Sequence, residues 1–166
     1  EKPIRKEKVK VALNHLRFVQ SDDQKRKLRI QCFGNFEAFV DNVPLHFYRS
    51  KSKELLAFLV DRRGAVCDSD MIIGNLWPDD AVTNNLKSLQ RMVVSDLFRS
   101  LADYGFEDII FRDKNGLSLD VRRVDCDYYH FLNGNNDSIN QFRGEYMSQY
   151  SFAESTKAYL ERRYYD

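Results

Sequence analysis

The spacing of apolar residues changes period several times along the chain. Over residues 3–18, Val9, Ala12, Leu13 and Leu16 recur at helical spacing, while Lys6, Lys8, Lys10 and Arg17 fall mostly elsewhere on the wheel. This predicts an amphipathic helix, and Pro3 suits its first turn. Residues 20–27 carry no apolar side chain, so 19–27 read as a linker. From Leu28 the period becomes two: Leu28, Ile30 and Cys32 alternate with Arg29 and Gln31. Gly34-Asn35 interrupts the run, Phe36 to Val40 resumes it, Asp41-Asn42 turns it, and Leu45 to Phe47 is expected as a third strand. Together these predict a small antiparallel meander.

A helical period follows. Residues 49–61 have a polar first turn and then Leu55, Leu56, Phe58, Leu59 and Val60, and Arg62-Arg63-Gly64 is a fitting end. Asp68 or Ser69 is placed to cap a helix over 70–76, which Trp77-Pro78 stops. A longer helix is expected from about Ala81 to Asp103, with Leu86, Leu89, Val93, Leu97 and Leu101 as its apolar stripe and Gly105 closing it. Ile109 to Phe111 and Leu117 to Leu119 flank Asp113-Lys114-Asn115-Gly116, and Asn-Gly between apolar runs is a strong hairpin signal. The tail reads as helices over 125–132, 138–142 and 152–164.

Composition narrows the class. The chain has 166 residues, 43% of them hydrophobic, with twelve Phe, nine Tyr and one Trp, enough for a packed core. Its longest fully apolar run is Leu55 to Val60, far below the roughly 18 residues of a membrane span. The first residues have no signal-peptide pattern. Three unclustered cysteines (Cys32, Cys67, Cys126) suit a reduced, cytoplasmic chain with free thiols. Net charge is only +1, but residues 1–29 carry +6 and residues 124–166 carry −3. An anion-binding surface must therefore be assembled by folding. Gly-rich phosphate loops, Gly-x-Ser-x-Gly and His-Glu-x-x-His are absent, so no catalytic residue is assigned and an enzyme is not expected. Cys126 and His130 stand four apart, but two ligands do not make a metal site, and no metal or other cofactor is expected. Trp77 is expected to plug the core between two helices.

The order of elements, strands, three helices and a hairpin, describes an α+β winged helix-turn-helix, with N-terminal antiparallel strands, a C-terminal β-hairpin wing and flanking helices. Residues 28–123 resemble the DNA-binding domain of OmpR-type response regulators, in the variant used by SARP-type transcriptional activators. The resemblance is carried by Leu28–Phe33 with Gly34-Asn35-Phe36, by Arg49 to Leu59, by Leu76-Trp77-Pro78-Asp79-Asp80, by Ser95-Asp96-Leu97 to Leu101, and by Gly116-Leu117-Ser118-Leu119. One position departs from it: the residue after Leu97, often basic in that family, is Phe98. Lys2-Pro3 and the basic helix behind it resemble the end of a receiver domain over residues 1–18. Residues 124–166, through Val124 to Leu132 and Phe142 to Glu154, resemble the start of the helical segment that follows the winged helix in SARP-type activators.

The resemblance implies a sequence-specific, double-stranded-DNA-binding transcriptional regulator, the output part of a phosphorylation-controlled two-component protein. It implies a homodimer or tandem pair on DNA, RNA polymerase as a further partner, and no membrane. The long helix would read bases through Asn84, Lys87, Ser88, Arg91 and Ser95, on a face with no acid from Thr83 to Ser95. Arg49, Ser50, Lys51 and Lys53 open the first helix of the motif, where amides and cations can hold phosphate. Arg112, Lys114 and Asn115 sit on the wing, within reach of a minor groove or phosphates. The competing reading is a protein-interaction or dimerisation module that does not read DNA, since net charge is near zero and the tail is rich in Tyr.

Overall fold

The computed structural model describes residues 26–166. The helix expected over 3–18 and most of the linker lie outside the described residues. β1 (Leu28–Gln31) buries Leu28 and Ile30 and turns Arg29 outward, as its period of two requires. It pairs antiparallel with β2 (Glu37–Val40), where the Arg29 guanidinium lies 4.0 Å above the ring of its cross-strand neighbour Phe39. β3 (Val43–Pro44) pairs with β2. It starts two residues before the expected Leu45–Phe47. Asp41 and Asn42 both take positive φ, 51° and 65°, so a two-residue turn brings Val43 directly opposite Val40. Leu45 is buried beyond the strand and its N–H donates to Ala38 O at 2.8 Å.

α1 (Ser50–Asp61) is the central helix: every residue from Leu55 to Val60 is buried. It can be apolar all round because it is covered on more than one side. The Ser52 hydroxyl donates to Val93 O at 2.8 Å, and Phe58 meets Phe152 edge-on at 5.3 Å. α2 (Ser69–Leu76) is capped by Asp68, whose carboxylate accepts from Met71 N–H at 2.8 Å. Trp77 then closes the turn into α3 from within the core, 9% exposed. α3 (Asn84–Ala102) begins three residues later than its expected start, because the Thr83 hydroxyl accepts from Leu86 N–H and fixes the N-terminus there. Leu86, Val93, Leu97 and Leu101 of its stripe are buried.

β4 (Ile110–Asp113) and β5 (Gly116–Leu119) form the hairpin. Its turn residues are Lys114 and Asn115, both with negative φ, and the positive φ falls on Gly116 at 138°. The glycine serves a close approach rather than the tip of the turn. A Cβ there would lie 2.1 Å from Cys67 O. Cys67 and Leu117 exchange both backbone hydrogen bonds, at 2.8 and 2.9 Å, which fastens the hairpin to the strand-like segment before α2.

The tail departs most from expectation. Residues 125–126, read as the start of a helix, belong instead to β6 (Val124–Cys126), which pairs parallel with β1 and completes a sheet in the order β3-β2-β1-β6. α4 (Asp127–Leu132) and α5 (Asn136–Gln141) follow, then a loop that bridges Tyr146 to Phe33, and α6 (Glu154–Tyr165). The Asp127 carboxylate accepts from Cys32 N–H at 2.8 Å and Phe33 N–H at 3.0 Å, so it terminates β1 as well as starting α4. The Gln149 side-chain amide pairs with both backbone groups of Phe36. Phe33, Phe131 and Phe142 pack edge to face with centroids 5.2–5.8 Å apart. The segment after residue 123 thus shares one core with the strands and α1.

Candidate nucleic-acid interface

α3 amphipathicity positions the first group of candidates. Its stripe faces the core, so Asn84, Lys87, Ser88, Arg91 and Ser95 are all exposed. Arg91 Nη2 donates to Ser88 Oγ at 3.1 Å, one turn away, which holds the guanidinium along the outer surface of the helix. The first acid of the helix, Asp96, does not face solvent freely: its carboxylate accepts from the Arg49 guanidinium. The outer face from Asn84 to Ser95 thus presents donors and neutral polar groups without a carboxylate.

The hairpin brings Arg112, Lys114 and Asn115 to the same side. All three are exposed, and the turn is held by Asn115 N–H donating to Asp113 Oδ1 at 2.7 Å. A cleft of about 460 Å3 lies between the start of α2, the middle of α3 and this hairpin. Gln90 and Arg91 line one wall; Arg112, Lys114 and Asn115 line the other. Asp68, Asp70 and Asp113 also border it, so its field is mixed rather than uniformly positive. Phe98 is half-buried between the two elements, and the Arg112 guanidinium lies 5.9 Å from its ring centroid. A cation therefore reaches the Phe98 position, supplied by the hairpin.

The first turn of α1 is arranged differently. Arg49 is its N-cap residue and pairs with Asp96; Lys51 pairs with Glu54 at 2.9 Å and lies 5.3 Å from the Trp77 ring; Lys53 pairs with Glu37 at 2.9 Å. Ser50 is exposed. Three of these four residues carry a carboxylate partner, so phosphate contact there requires an exchange of partners. Sequence reading had no access to the partners of Arg49 and Lys53, because Asp96 and Glu37 lie 47 and 16 residues away.

Two exposed apolar side chains were missed. Met92, 50% exposed, sits beside Arg91 on the outer face of α3, and Phe111, 54% exposed, lies on β4. Met92 stands outside the stripe of Leu86, Leu89, Val93 and Leu97, which is the signal that finds it.

The paired residues Cys126 and His130 face different partners. Cys126 Sγ lies 3.5 Å from Cys32 Sγ, and His130 Nε2 lies 2.5 Å from Asp125 Oδ1. Cys32, Cys126 and Asp127 bring three donor atoms within 4.8 Å of one another. Backbone N–H groups already occupy both Asp127 oxygens, and burial pushes the Cys32 thiol well up, away from the thiolate a metal takes. No helix among the described residues is long and apolar enough to cross a membrane.

No family model matches this chain, and no curated protein matches it. Among solved structures it is similar to EmbR of Mycobacterium tuberculosis in complex with a low-affinity phosphopeptide, with a TM-score of 0.65 and 17% sequence identity. The match covers 84% of this chain and 43% of that one, so the chain spans less than half the length of that neighbour. The likeness is one of fold.

Proposed function

We propose that this chain is a sequence-specific reader of double-stranded DNA and acts as a transcriptional regulator. α3 lies in the major groove, with Asn84, Lys87, Ser88, Arg91 and Ser95 towards base edges. Arg112 and Lys114 of the hairpin reach the adjacent minor groove or its phosphates. The observation that carries this reading is the acid-free outer face of α3 beside a hairpin that puts two more cations across one cleft. Arg can donate in a fork to guanine N7 and O6, and Asn can pair with adenine, so this residue set matches major-groove chemistry. A solvated helix face ordinarily mixes acids with its cations, and this one does not.

The resemblance to OmpR-type and SARP-type regulators extends the proposal. Arg49, Ser50, Lys51 and Lys53 take backbone phosphates, the three cations exchanging their carboxylate partners for the DNA. Residues 1–18 end a receiver domain, which makes the protein an output module under phosphorylation control. Two copies occupy direct repeats, with RNA polymerase as a further partner.

Selection of binders from a random duplex library, followed by a salt titration of the winner, tests the reading. It predicts an enriched motif and a steep fall of affinity with salt, because phosphate contacts release counterions. Failure to enrich a motif, both for the chain alone and for the chain fused to a dimerisation domain, overturns it in favour of a protein-interaction module.

A further inference from the structure

A second cleft, of about 550 Å3, opens where the C-terminal ends of α1, α4 and α6 meet the start of β1. Lys27, Arg63, His130 and Arg163 line it, each from a different segment, and no carboxylate is among its lining residues. By contrast, Arg49, Lys51, Lys53, Arg122 and Arg123 each sit against a carboxylate. In the cleft only His130 does, through Asp125.

The simplest use of these cations is to offset the helix ends. Arg163 does so in part, donating to Leu132 O, at the end of α4, at 3.2 Å. The magnitudes leave a surplus. Three helix C-termini supply about half a negative charge each at most, and one of these helices, α4, has only six residues, whereas Lys27, Arg63 and Arg163 supply three full positive charges. The segment preceding the cleft does not complement it either: residues 1–25 carry seven Lys or Arg against four Asp or Glu.

Arg63 has a further peculiarity. Its φ is 54°, the left-handed region, and Gly64 beside it takes 86°. A long side chain there costs about 1 kcal/mol that glycine would avoid. Arg63 lines the cleft from this position. Val124, Leu132 and Tyr129 give the cleft an apolar floor, and the Tyr129 hydroxyl is already committed to Val60 O at 2.6 Å. Asn133 and the half-exposed Tyr159 stand at its edge.

From this we infer that the cleft is a binding site for a small phosphate-bearing anion of nucleotide size. Lys27, Arg63 and Arg163, none of them in a salt bridge among the described residues, take the phosphate oxygens, and the apolar floor with Tyr159 takes the planar body. Its size falls within the range of about 300–1,000 Å3 usual for small-molecule sites. The site lies at the opposite end of α1 from Arg49, separated by the length of a 12-residue helix, about 18 Å. It is therefore distinct from the α3–hairpin face, and it links the strands and α1 to the C-terminal helices.

The test is a titration of isotope-labelled protein with ADP, and separately with inorganic pyrophosphate, followed by amide chemical shifts. The inference predicts saturable shifts at Lys27, Arg63, Asn133 and Arg163 with both probes. Arg63→Gly suits the backbone and removes the guanidinium, and Arg163→Gln leaves α6 helical; each weakens ADP binding by about tenfold or more while the spectrum stays folded. Arg91→Ala leaves ADP binding unchanged. Absence of saturable shifts below about 10 mM of either probe, shifts centred on α3 and the hairpin, or wild-type affinity in Arg63→Gly overturns it.

Discussion

The Arg49 guanidinium donates to the Asp96 carboxylate, joining the residue that caps α1 to the middle of α3 across 47 positions of sequence. One contact thereby bridges two helices, removes the first acid from the outer face of α3, and occupies a cation that would otherwise be free for phosphate. Both side chains keep partial exposure, 38% and 22%, so the pair is screened and contributes modestly to stability.

Asp96→Asn is therefore expected to change binding more than folding. It frees Arg49 and removes a negative charge from the DNA-facing helix. Affinity for duplex DNA should rise, and the salt slope should steepen by about one, as one phosphate contact is gained. The stability change should stay within about 1 kcal/mol by chemical denaturation. Weaker DNA binding by a folded Asp96→Asn would show that the ion pair itself organises the interface.

Gly116 is a point of close approach. Any Cβ there meets Cys67 O at 2.1 Å, and the φ of 138° is itself disfavoured for other residues. Gly116→Ala should break the paired hydrogen bonds between Cys67 and Leu117 and cost on the order of 2–3 kcal/mol in thermal or denaturant unfolding. Asn115→Ala at the turn itself should cost far less. Equal losses in the two variants would refute this division of roles.

The Asp61 carboxyl is pushed up by burial, with the Thr156 and Tyr146 hydroxyls and then Arg62 and Arg63 acting in the opposite direction. Folding thus favours its protonated form. That contribution is fully present below the ordinary value of 3.8 and is lost as pH rises through the raised folded value. Asp61→Asn retains an oxygen for the Tyr146 hydroxyl and does not titrate. Its stability relative to the wild type should therefore rise with pH between mildly acid and neutral conditions. Parallel stability–pH curves for the two proteins would contradict the assignment.

All three thiols are free and buried, and burial pushes those of Cys32 and Cys67 up. Native protein should resist an aromatic disulfide reagent at neutral pH, with all three thiols reacting on denaturation. Rapid labelling of Cys32 or Cys126 in the native protein would mean that the β1–β6 pair opens readily.

What was legible in the sequence was local. The 3.6-residue stripe of α3, the cap at Asp68 and the alternation in β1 each lie within one element, so spacing alone places them. The hairpin was found through Asn115-Gly116, although the structure gives the glycine a different task, set by Cys67. What was hidden depends on distant partners. β6 is three residues long, too short for a period, and becomes a strand only because β1 lies beside it. Its helical reading arose from the residues that follow, Asp127 to Leu132. The carboxylate partners of Arg49 and Lys53 were invisible for the same reason, so that cluster looked freer than the fold leaves it. The cation cleft draws on four segments between Lys27 and Arg163, and no window of sequence contains it.

The central claim, that α3 reads bases, is tested most directly through Arg91. Its side chain is exposed and donates to Ser88 on the outer face of α3, so Arg91→Ala should leave the fold intact. The measurement is the affinity of wild type and variant for a selected duplex at one fixed salt concentration, with circular dichroism as the check on folding. The account predicts a loss of about 1–3 kcal/mol, roughly fivefold to 150-fold in affinity, for the selected site. An unchanged affinity in a folded Arg91→Ala would contradict it.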